Sequence, residues 1–139
     1  MATSSSPKAY LGLDMGEQRI GVAFADGIVP IAVPLITIDV DGTEHEQLQK
    51  IMQEKAITDV VVGLPRNQSG DITAQTMRVQ QMVYSLFDIY AQPIHYQDES
   101  VTSIQAEERL KSRGKAYQKG DIDREAATII LQDYLDSSV

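Results

Sequence analysis

The segment YLGLDMGEQRIGVAFAD, residues 10–26, predicts a β-hairpin. Two apolar runs, residues 10–13 and 20–25, are joined by a polar turn that contains Gly16. Asp14 follows directly on the first apolar run. Because an acid at the end of a core strand is costly to desolvate, a cation or a set of donors should meet it. The hairpin is therefore predicted to hold one carboxylate rigidly near the middle of a sheet, the alternative being an aspartate that only caps the turn.

The glycines of this hairpin suggest two classes of protein. Gly16 is expected to adopt a positive φ in the turn. Gly12 and Gly21 lie inside the strands, where glycine often marks a bulge or the close approach of a ligand or another backbone. Actin-like and sugar-kinase ATPases place nucleotide phosphates over an Asp-x-Gly turn, whereas ribonuclease-H-like nucleases use the aspartate as a metal ligand. The hairpin alone leaves both classes open.

The composition is that of one globular domain. The chain has 139 residues, no cysteine and two histidines, so a disulfide, a thiolate nucleophile and a Cys- or His-rich metal site are not expected. No apolar run approaches the ~20 residues of a membrane span. Residues 1–7 lack the features of a signal peptide and are predicted to form a disordered lead, with a single domain over 8–139. We expect a cytoplasmic protein without membrane contact.

The charge is acidic overall but basic in one segment. A net charge of −8 argues against nonspecific coating of nucleic acid. A basic segment near an acidic pocket suits a metal-dependent enzyme acting on a phosphate backbone, and a solvated loop is the alternative. Six of the twelve basic residues form this segment: Arg109, Lys111, Arg113, Lys115, Lys119 and Arg124.

The rest of the chain alternates between strand and helix patterns. Pro34 places the third strand at an edge or a bulge. Thr43 with Glu46, and Thr102 with Gln105, have the spacing of capping boxes that open helices. After the hairpin, the predicted elements are a strand over 31–38, a helix over 43–55, a strand over 59–63, a long helix after the polar loop of residues 64–71, a strand over 93–97 and helices over 102–113 and 122–135. In the long helix, apolar residues recur at helical spacing over 79–90.

This order predicts an α/β fold with a five-stranded mixed sheet flanked by helices. Three strands joined by short turns should be antiparallel, and two strands reached through helices should add in parallel by right-handed crossovers. Ribonuclease-H-like (RuvC-like) domains have this layout. An actin-like ATPase needs two such units, and 139 residues are too few for both.

Four acids are predicted to converge at one edge of this sheet. Asp14 ends the first strand, Asp98 and Glu99 follow the last strand, and Asp123 is expected in the first turn of the final helix. Groups at the carboxyl ends of neighbouring parallel strands meet in one crevice, and Mg²⁺ or Mn²⁺ prefers such oxygen ligands. Two ions could activate water and stabilise the leaving oxygen of a phosphodiester. The alternative roles are turn or N-cap hydrogen bonds for Asp98 and helix-dipole stabilisation for Asp123.

Four motifs resemble the YqgF family in order and spacing. They are GLDMG with RIGVA (residues 12–23), VVGLP (61–65), DESVTS (98–103) and IDREAA (122–127). This family comprises RuvC-like proteins described as Holliday-junction-resolvase-like or as nucleases for the precursor of small-subunit (16S) ribosomal RNA. The resemblance implies a metal-dependent nuclease, a hydrolase of phosphodiester bonds, in 5′-end maturation of that RNA. Asp14, Glu99 and Asp123 fall on the family's catalytic acids, while Ser100 stands where the family usually has arginine.

The resemblance and the chemistry together suggest roles and partners. Asp14, Glu99 and Asp123 would hold Mg²⁺ or Mn²⁺, with Asp98 as the next ligand, and His95 is interpreted as structural. The expected partner is structured RNA, with branched DNA as the alternative, on a ribosomal precursor particle and with the protein as a monomer or weak homodimer. A non-catalytic nucleic-acid-binding module and a nucleotide-binding half-domain remain alternatives. The residues expected to contact substrate are Arg19, Gly63, Pro65, Arg66, Asn67 and Lys119.

Overall fold

The computed structural model describes residues 7–65, 72–87, 92–99 and 102–137. Of the predicted lead, only Pro7 belongs to these residues, and it is exposed. In the parts that the structure describes, none of the helices combines the length and the apolar character needed to cross a membrane. The elements are β1 (Ala9–Met15), β2 (Arg19–Asp26), β3 (Val33–Asp39), α1 (Glu44–Glu54), β4 (Asp59–Pro65), α2 (Ala74–Phe87), β5 (Ile94–Glu99), α3 (Thr102–Ser112) and α4 (Lys119–Ser137).

The five strands form one mixed sheet in the order β3-β2-β1-β4-β5. β1 pairs with β2 and β2 with β3 in antiparallel register, whereas β4 pairs in parallel with both β1 and β5. The predicted topology of three antiparallel and two parallel strands is confirmed. Because β1 lies at the centre, its residue Asp14 occupies the middle of the sheet, as the hairpin pattern predicts.

β3 is an edge strand with an irregular register. Val22 pairs with Ile36, but the next residue, Ala23, pairs with Pro34, so Leu35 is the extra residue of a bulge. Proline has no N–H to donate to a ladder and is tolerated at this kind of position. The prediction made from Pro34 is confirmed.

The two faces of the sheet pack against different helices. On β1, Leu11, Leu13 and Met15 belong to the main buried core, to which α1 and α2 contribute. The alternate residues Gly12 and Asp14 therefore lie on the opposite face, because side chains alternate along a strand. α4 covers that face through a second buried cluster, which consists of Ala23, Ala25, Ala32, Val61, Ala127, Ile130, Leu131 and Leu135.

Three strand glycines allow α4 to lie directly on the backbone of this face. A Cβ atom at Gly12 would be 2.6 Å from Cβ of Leu131. A Cβ atom at Gly63 would overlap the side chain of Ile130, and one at Gly21 would overlap the backbone carbonyl of Asp123. The sequence suggested the close approach of another backbone as one explanation for Gly12 and Gly21. The structure shows such an approach at both positions.

Gly16 has a different role from the one predicted. Among the described residues, the glycines with positive φ are Gly42 and Gly114. The N–H of Gly16 instead donates to the carbonyl of Arg19 at 3.0 Å and closes the β1–β2 turn. A Cβ atom at this position would be 2.5 Å from the same carbonyl oxygen. Steric crowding in the turn, and not a left-handed backbone, accounts for this glycine.

The first helix begins where predicted but without a capping box. Thr43 occupies the N-cap position and its side chain caps no backbone N–H of the helix. Its hydroxyl donates to Asp41 Oδ1 at 2.6 Å. Glu44, and not Glu46, accepts from the backbone N–H groups of Asp41 and Gly42, at 3.1 and 2.7 Å. The Thr-x-x-Glu spacing locates the helix start correctly but predicts the wrong hydrogen bonds.

The last helix begins earlier than predicted. α4 starts at Lys119, so Asp123 lies in its second turn and not in its first. Asp121 occupies the first turn, where its Oδ2 accepts from the backbone N–H of Gln118 at 2.9 Å, and it also pairs with Arg124. Asp121 therefore performs the helix-start role that the sequence left open for Asp123.

A buried carboxylate, Glu125, forms ion pairs that fasten the end of α3 to α4. The Glu125 side chain is 3% exposed and accepts two bonds from Arg113, at 2.9 and 3.1 Å, and one from Arg109 at 3.3 Å. With Arg124 bound to Asp121, three of the six residues of the basic segment form ion pairs within the protein. Lys111, Lys115 and Lys119 are exposed.

Replacing Arg113 with alanine should lower the free energy of unfolding by about 2 kcal/mol, since it removes two charge-assisted bonds from a buried carboxylate. Arg109→Ala should cost less, because it removes one longer bond. Urea unfolding of the two variants and of Lys111→Ala, an exposed position on α3, provides the comparison. Equal losses in all three variants would contradict the prediction.

Candidate active site

The structure brings Asp14 and Asp123 together through Gly21. Asp14 on β1 is directly opposite Gly21 on β2. Gly21 in turn lies against the backbone carbonyl of Asp123 on α4. The absence of a side chain at Gly21 therefore lets the helix approach until its aspartate adjoins the aspartate of the central strand.

The pKa of Asp14 reflects this environment. Burial, followed by the nearby charge of Asp123, raises the pKa of Asp14 to about 6. Both causes act against the ionised carboxylate, because it has lost solvent and faces a like charge. A cation beside Asp14 would favour the ionised carboxylate and so offset both effects.

This pKa predicts how the stability of the metal-free protein changes with pH. The stability that Asp14 contributes is fully present below its ordinary pKa of 3.8 and is lost as the pH rises through about 6. The full difference corresponds to about 3 kcal/mol. Urea unfolding in a chelator between pH 4 and pH 8 should show wild type losing about this much relative to Asp14→Asn. Parallel curves for the two proteins would contradict the prediction.

Arg19 is the cationic neighbour of Asp123. Its Nε donates to Asp123 Oδ2 at 2.5 Å, with the two side chains 32% and 20% exposed. The sequence suggested substrate contact for Arg19, and the structure shows it bound to a predicted catalytic acid. Alternation along β2 indicates the face of the sheet but not the partner, because Arg19, Gly21 and Ala23 occupy the same face as Asp14.

Glu99 lies on the same face as Asp14 but farther along the sheet. Both Asp98 and Glu99 belong to β5, and not to the loop after it, and Glu99 pairs with Pro65. Continuing the register of β1 and β4 places Asp14 beside Gly63. Glu99 lies two strands away from Asp14 and two residues farther along the strand direction, so that about 12 Å separates the Cα atoms of Asp14 and Glu99. Its Oε1 atom is buried. Asp98 is exposed and, by alternation, on the opposite face.

The expected cluster of acids is therefore formed in part. Within the described residues, no three His, Asp or Glu side chains are grouped closely enough to hold a metal ion. Asp14 and Asp123 do adjoin, and their donor atoms are the hard carboxylate oxygens that Mg²⁺ and Mn²⁺ prefer. The excess of negative charge at this pair fits a divalent cation.

Two residues expected to contact substrate have packing roles. Gly63 is buried against Ile130 of α4, which accounts for a glycine at this position without a bound phosphate. Pro65 has no N–H to offer a phosphate, and its carbonyl accepts a hydrogen bond from the buried Thr76 of α2.

Of the other residues expected to contact substrate, the structure describes only Lys119 besides Arg19. Lys119 is exposed at the first residue of α4, about one helical turn before Asp123. Arg66 and Asn67 fall outside the described residues, as does Ser100.

His95 belongs to a cluster at the opposite end of the sheet. Its Nε2 is 2.9 Å from Oδ2 of the buried Asp59, which also pairs with Lys8 at 3.1 Å. The imidazole ring lies 5.1 Å from the ring of Tyr134. These contacts join the start of β4 to β5 and to the end of α4, in agreement with the structural interpretation of His95.

The sequence matches a known family and its curated members. Residues 8–137 match the family model described as RuvX, Holliday junction resolvase. A relative from Rippkaea orientalis is 44% identical over 131 residues, covering 91% of this chain and 94% of the relative. Another, from Chloroflexus aurantiacus, is 42% identical over 131 residues, covering 91% and 86%. Both relatives carry the name "Putative pre-16S rRNA nuclease".

The fold matches solved structures of resolvases. Thermus thermophilus RuvC, in complex with a Holliday junction substrate, aligns with a TM-score of 0.54 at 15% identity, covering 91% of this chain and 93% of that one. The fowlpox virus resolvase in its Holliday junction DNA complex aligns with a TM-score of 0.57 at 9% identity, covering 93% and 97%. At these identities the likeness establishes the RuvC-like fold.

The fold is that of a RuvC-like domain. The chain belongs to the RuvX family, also called YqgF, and is a nuclease of that family. The resemblance noted in the four sequence motifs and the predicted fold class are both confirmed.

Proposed function

We propose that this chain is a divalent-metal-dependent nuclease that hydrolyses a phosphodiester bond of precursor 16S rRNA during 5′-end maturation. The observation that carries the proposal is the partly buried Asp14 adjoining Asp123 at the centre of a RuvC-like sheet. The name of the relatives supports the choice of RNA. A protein with this role would work in the cytoplasm, on a ribosomal precursor particle, as a monomer or weak homodimer.

Asp14 and Asp123 would hold the metal ion, Mg²⁺ or Mn²⁺, with Glu99 as a further ligand from β5. When bound, the ion would activate water and neutralise charge on the leaving oxygen. Asp14 contributes a carboxylate that the central strand holds in a fixed position and keeps largely out of water. Asp123 contributes a second carboxylate, whose position is fixed by the contact of its backbone with Gly21.

Basic and polar residues identified from the sequence would bind the phosphate backbone. We propose Lys119, exposed one turn before Asp123, for a phosphate near the cleaved bond, and Arg66 and Asn67 for a neighbouring one. These contacts position the substrate and carry no sequence information of their own. Since the whole chain has a charge of −8, binding should depend on this local positive charge and weaken as salt rises.

Branched DNA is the second candidate substrate. The description of the matching family as a Holliday junction resolvase supports it. RNA and DNA differ at the 2′-hydroxyl, which a protein can read through donors and acceptors beside the backbone.

A cleavage assay on both substrates tests the proposal. Wild type and Asp14→Asn are incubated with a precursor 16S rRNA 5′ leader and with a four-way DNA junction, with Mg²⁺, with Mn²⁺ or with chelator. Metal-dependent cleavage of the RNA by wild type alone would support the proposal. Cleavage of the junction alone would identify branched DNA as the substrate. Binding without cleavage at any metal concentration would support a non-catalytic module.

A further inference from the structure

We propose that Arg19 is an internal counter-ion of the Asp14–Asp123 pair, one that a divalent cation must displace from Asp123 in order to bind. In this role Arg19 is a positioning residue that sets metal affinity, and not primarily a substrate ligand. The inference rests on the proposed function, because it assumes that the two acids hold the ion.

The contact between Arg19 and Asp123 is close and directed. Nε of Arg19 donates to Asp123 Oδ2 at 2.5 Å, a hydrogen bond between opposite charges. This oxygen belongs to the acid that the fold brings beside Asp14. A cation that binds this oxygen, or both oxygens of Asp123, must therefore compete with the guanidinium.

The local charges explain why the ion and Arg19 compete. With both acids ionised, Asp14, Asp123 and Arg19 together carry one net negative charge. A divalent cation held by the two carboxylates would place two further positive charges close to the guanidinium of Arg19. Because like charges repel at these separations, binding of the ion should favour release of Arg19 from Asp123.

The surrounding backbone confines this exchange to one side chain. The carbonyl of Arg19 accepts from the N–H of Gly16, and the hairpin pairs Met15 with Ile20. Asp123 is fixed by the contact of its backbone with Gly21. The Arg19 side chain is 32% exposed and has solvent into which it can move.

Mn²⁺ binding without nucleic acid tests the proposal. Calorimetry or the electron paramagnetic resonance of free Mn²⁺ would compare wild type with Arg19→Gln, Arg19→Lys and the control Arg78→Gln. Arg78 pairs with Glu17 of the same turn at 3.3 Å and has a similarly exposed side chain (29%). Arg19→Gln should bind Mn²⁺ about tenfold more tightly, since one repelling charge and one competitor are removed. Arg19→Lys should lie between this variant and wild type, and Arg78→Gln should match wild type.

A second measurement needs no metal. In chelator, introducing Arg19→Gln into wild type should lower the urea midpoint of unfolding. Introducing it into Asp123→Asn should leave the midpoint unchanged, because the carboxylate that Arg19 balances is already absent from that variant. A purely supportive role of Arg19 in the hairpin would lower both midpoints equally. That result would overturn the inference.

The outcomes separate this inference from the proposed function. If Mn²⁺ binds wild type and Asp14→Asn equally, the proposed metal site is wrong and the inference fails with it. If Mn²⁺ binds wild type but not Asp14→Asn, while Arg19→Gln binds it equally or more weakly, the metal site stands and only the role of Arg19 is overturned.

Discussion

Replacement of Asp14 by asparagine is expected to lower nuclease activity about a thousandfold or more while the protein remains folded. Asparagine keeps the shape of the side chain but removes the charge that would hold a cation between Asp14 and Asp123. The thousandfold loss corresponds to about 4 kcal/mol, which is the stabilisation of the transition state that the ion would supply. Initial cleavage rates at saturating metal measure the effect.

The stability of the same variant distinguishes a catalytic defect from a folding defect. Because the ionised Asp14 is disfavoured by burial and by Asp123, Asp14→Asn should be at least as stable as wild type at pH 7.5 in chelator. Asp98→Asn is the matched control, an exposed acid on the opposite face that should retain activity within about tenfold. A thousandfold loss in both variants, or an active Asp14→Asn, would contradict the assignment of Asp14.

Replacement of Gly21 by alanine is expected to lower the free energy of unfolding by at least about 4 kcal/mol and to abolish activity. The new Cβ atom would overlap the backbone carbonyl of Asp123, and neither backbone can move aside as a flexible side chain could. α4 would have to lift from β2, which would separate Asp123 from Asp14. Urea unfolding and the cleavage assay together measure both consequences.

Gly120→Ala provides the control for this substitution. Gly120 lies in α4, and a Cβ atom there would be 3.5 Å from Thr37 Oγ1, an ordinary contact. The variant should be as stable as wild type or slightly more stable, since alanine favours a helix over glycine. A Gly21→Ala protein with wild-type stability would show that α4 does not lie against β2 as described.

The sequence predicts the sheet well because its signals are local. The apolar runs and short turns of residues 10–38 define three antiparallel strands, and the runs after the helices define two parallel ones. Pro34 identifies the edge strand because its missing N–H is a property of the residue itself. Element boundaries are less predictable, as at α4, where the local bond between Gln118 and Asp121 extends the helix by three residues.

The site is less predictable because its contacts join distant parts of the chain. The sequence identifies Asp14 and Asp123 as candidate acids, but it contains no direct signal that Arg19, 104 positions away, would bond to Asp123. It also places Asp98 and Glu99 together, although the pleat of β5 turns them to opposite faces. The glycines of β1 and β2 indicate a close neighbour, but only the folded chain identifies it as α4.

The direct seating of α4 on three glycines also has a consequence for motion. Sliding the helix by one residue would drive its side chains into strand backbone, so α4 can leave its place only by detaching as a whole. We therefore expect amide hydrogens around Ala127 and Leu131 to exchange only on global unfolding. Adjustments at the acids during turnover must then come from side-chain rotations on a nanosecond scale, with the helix and sheet as a stationary frame.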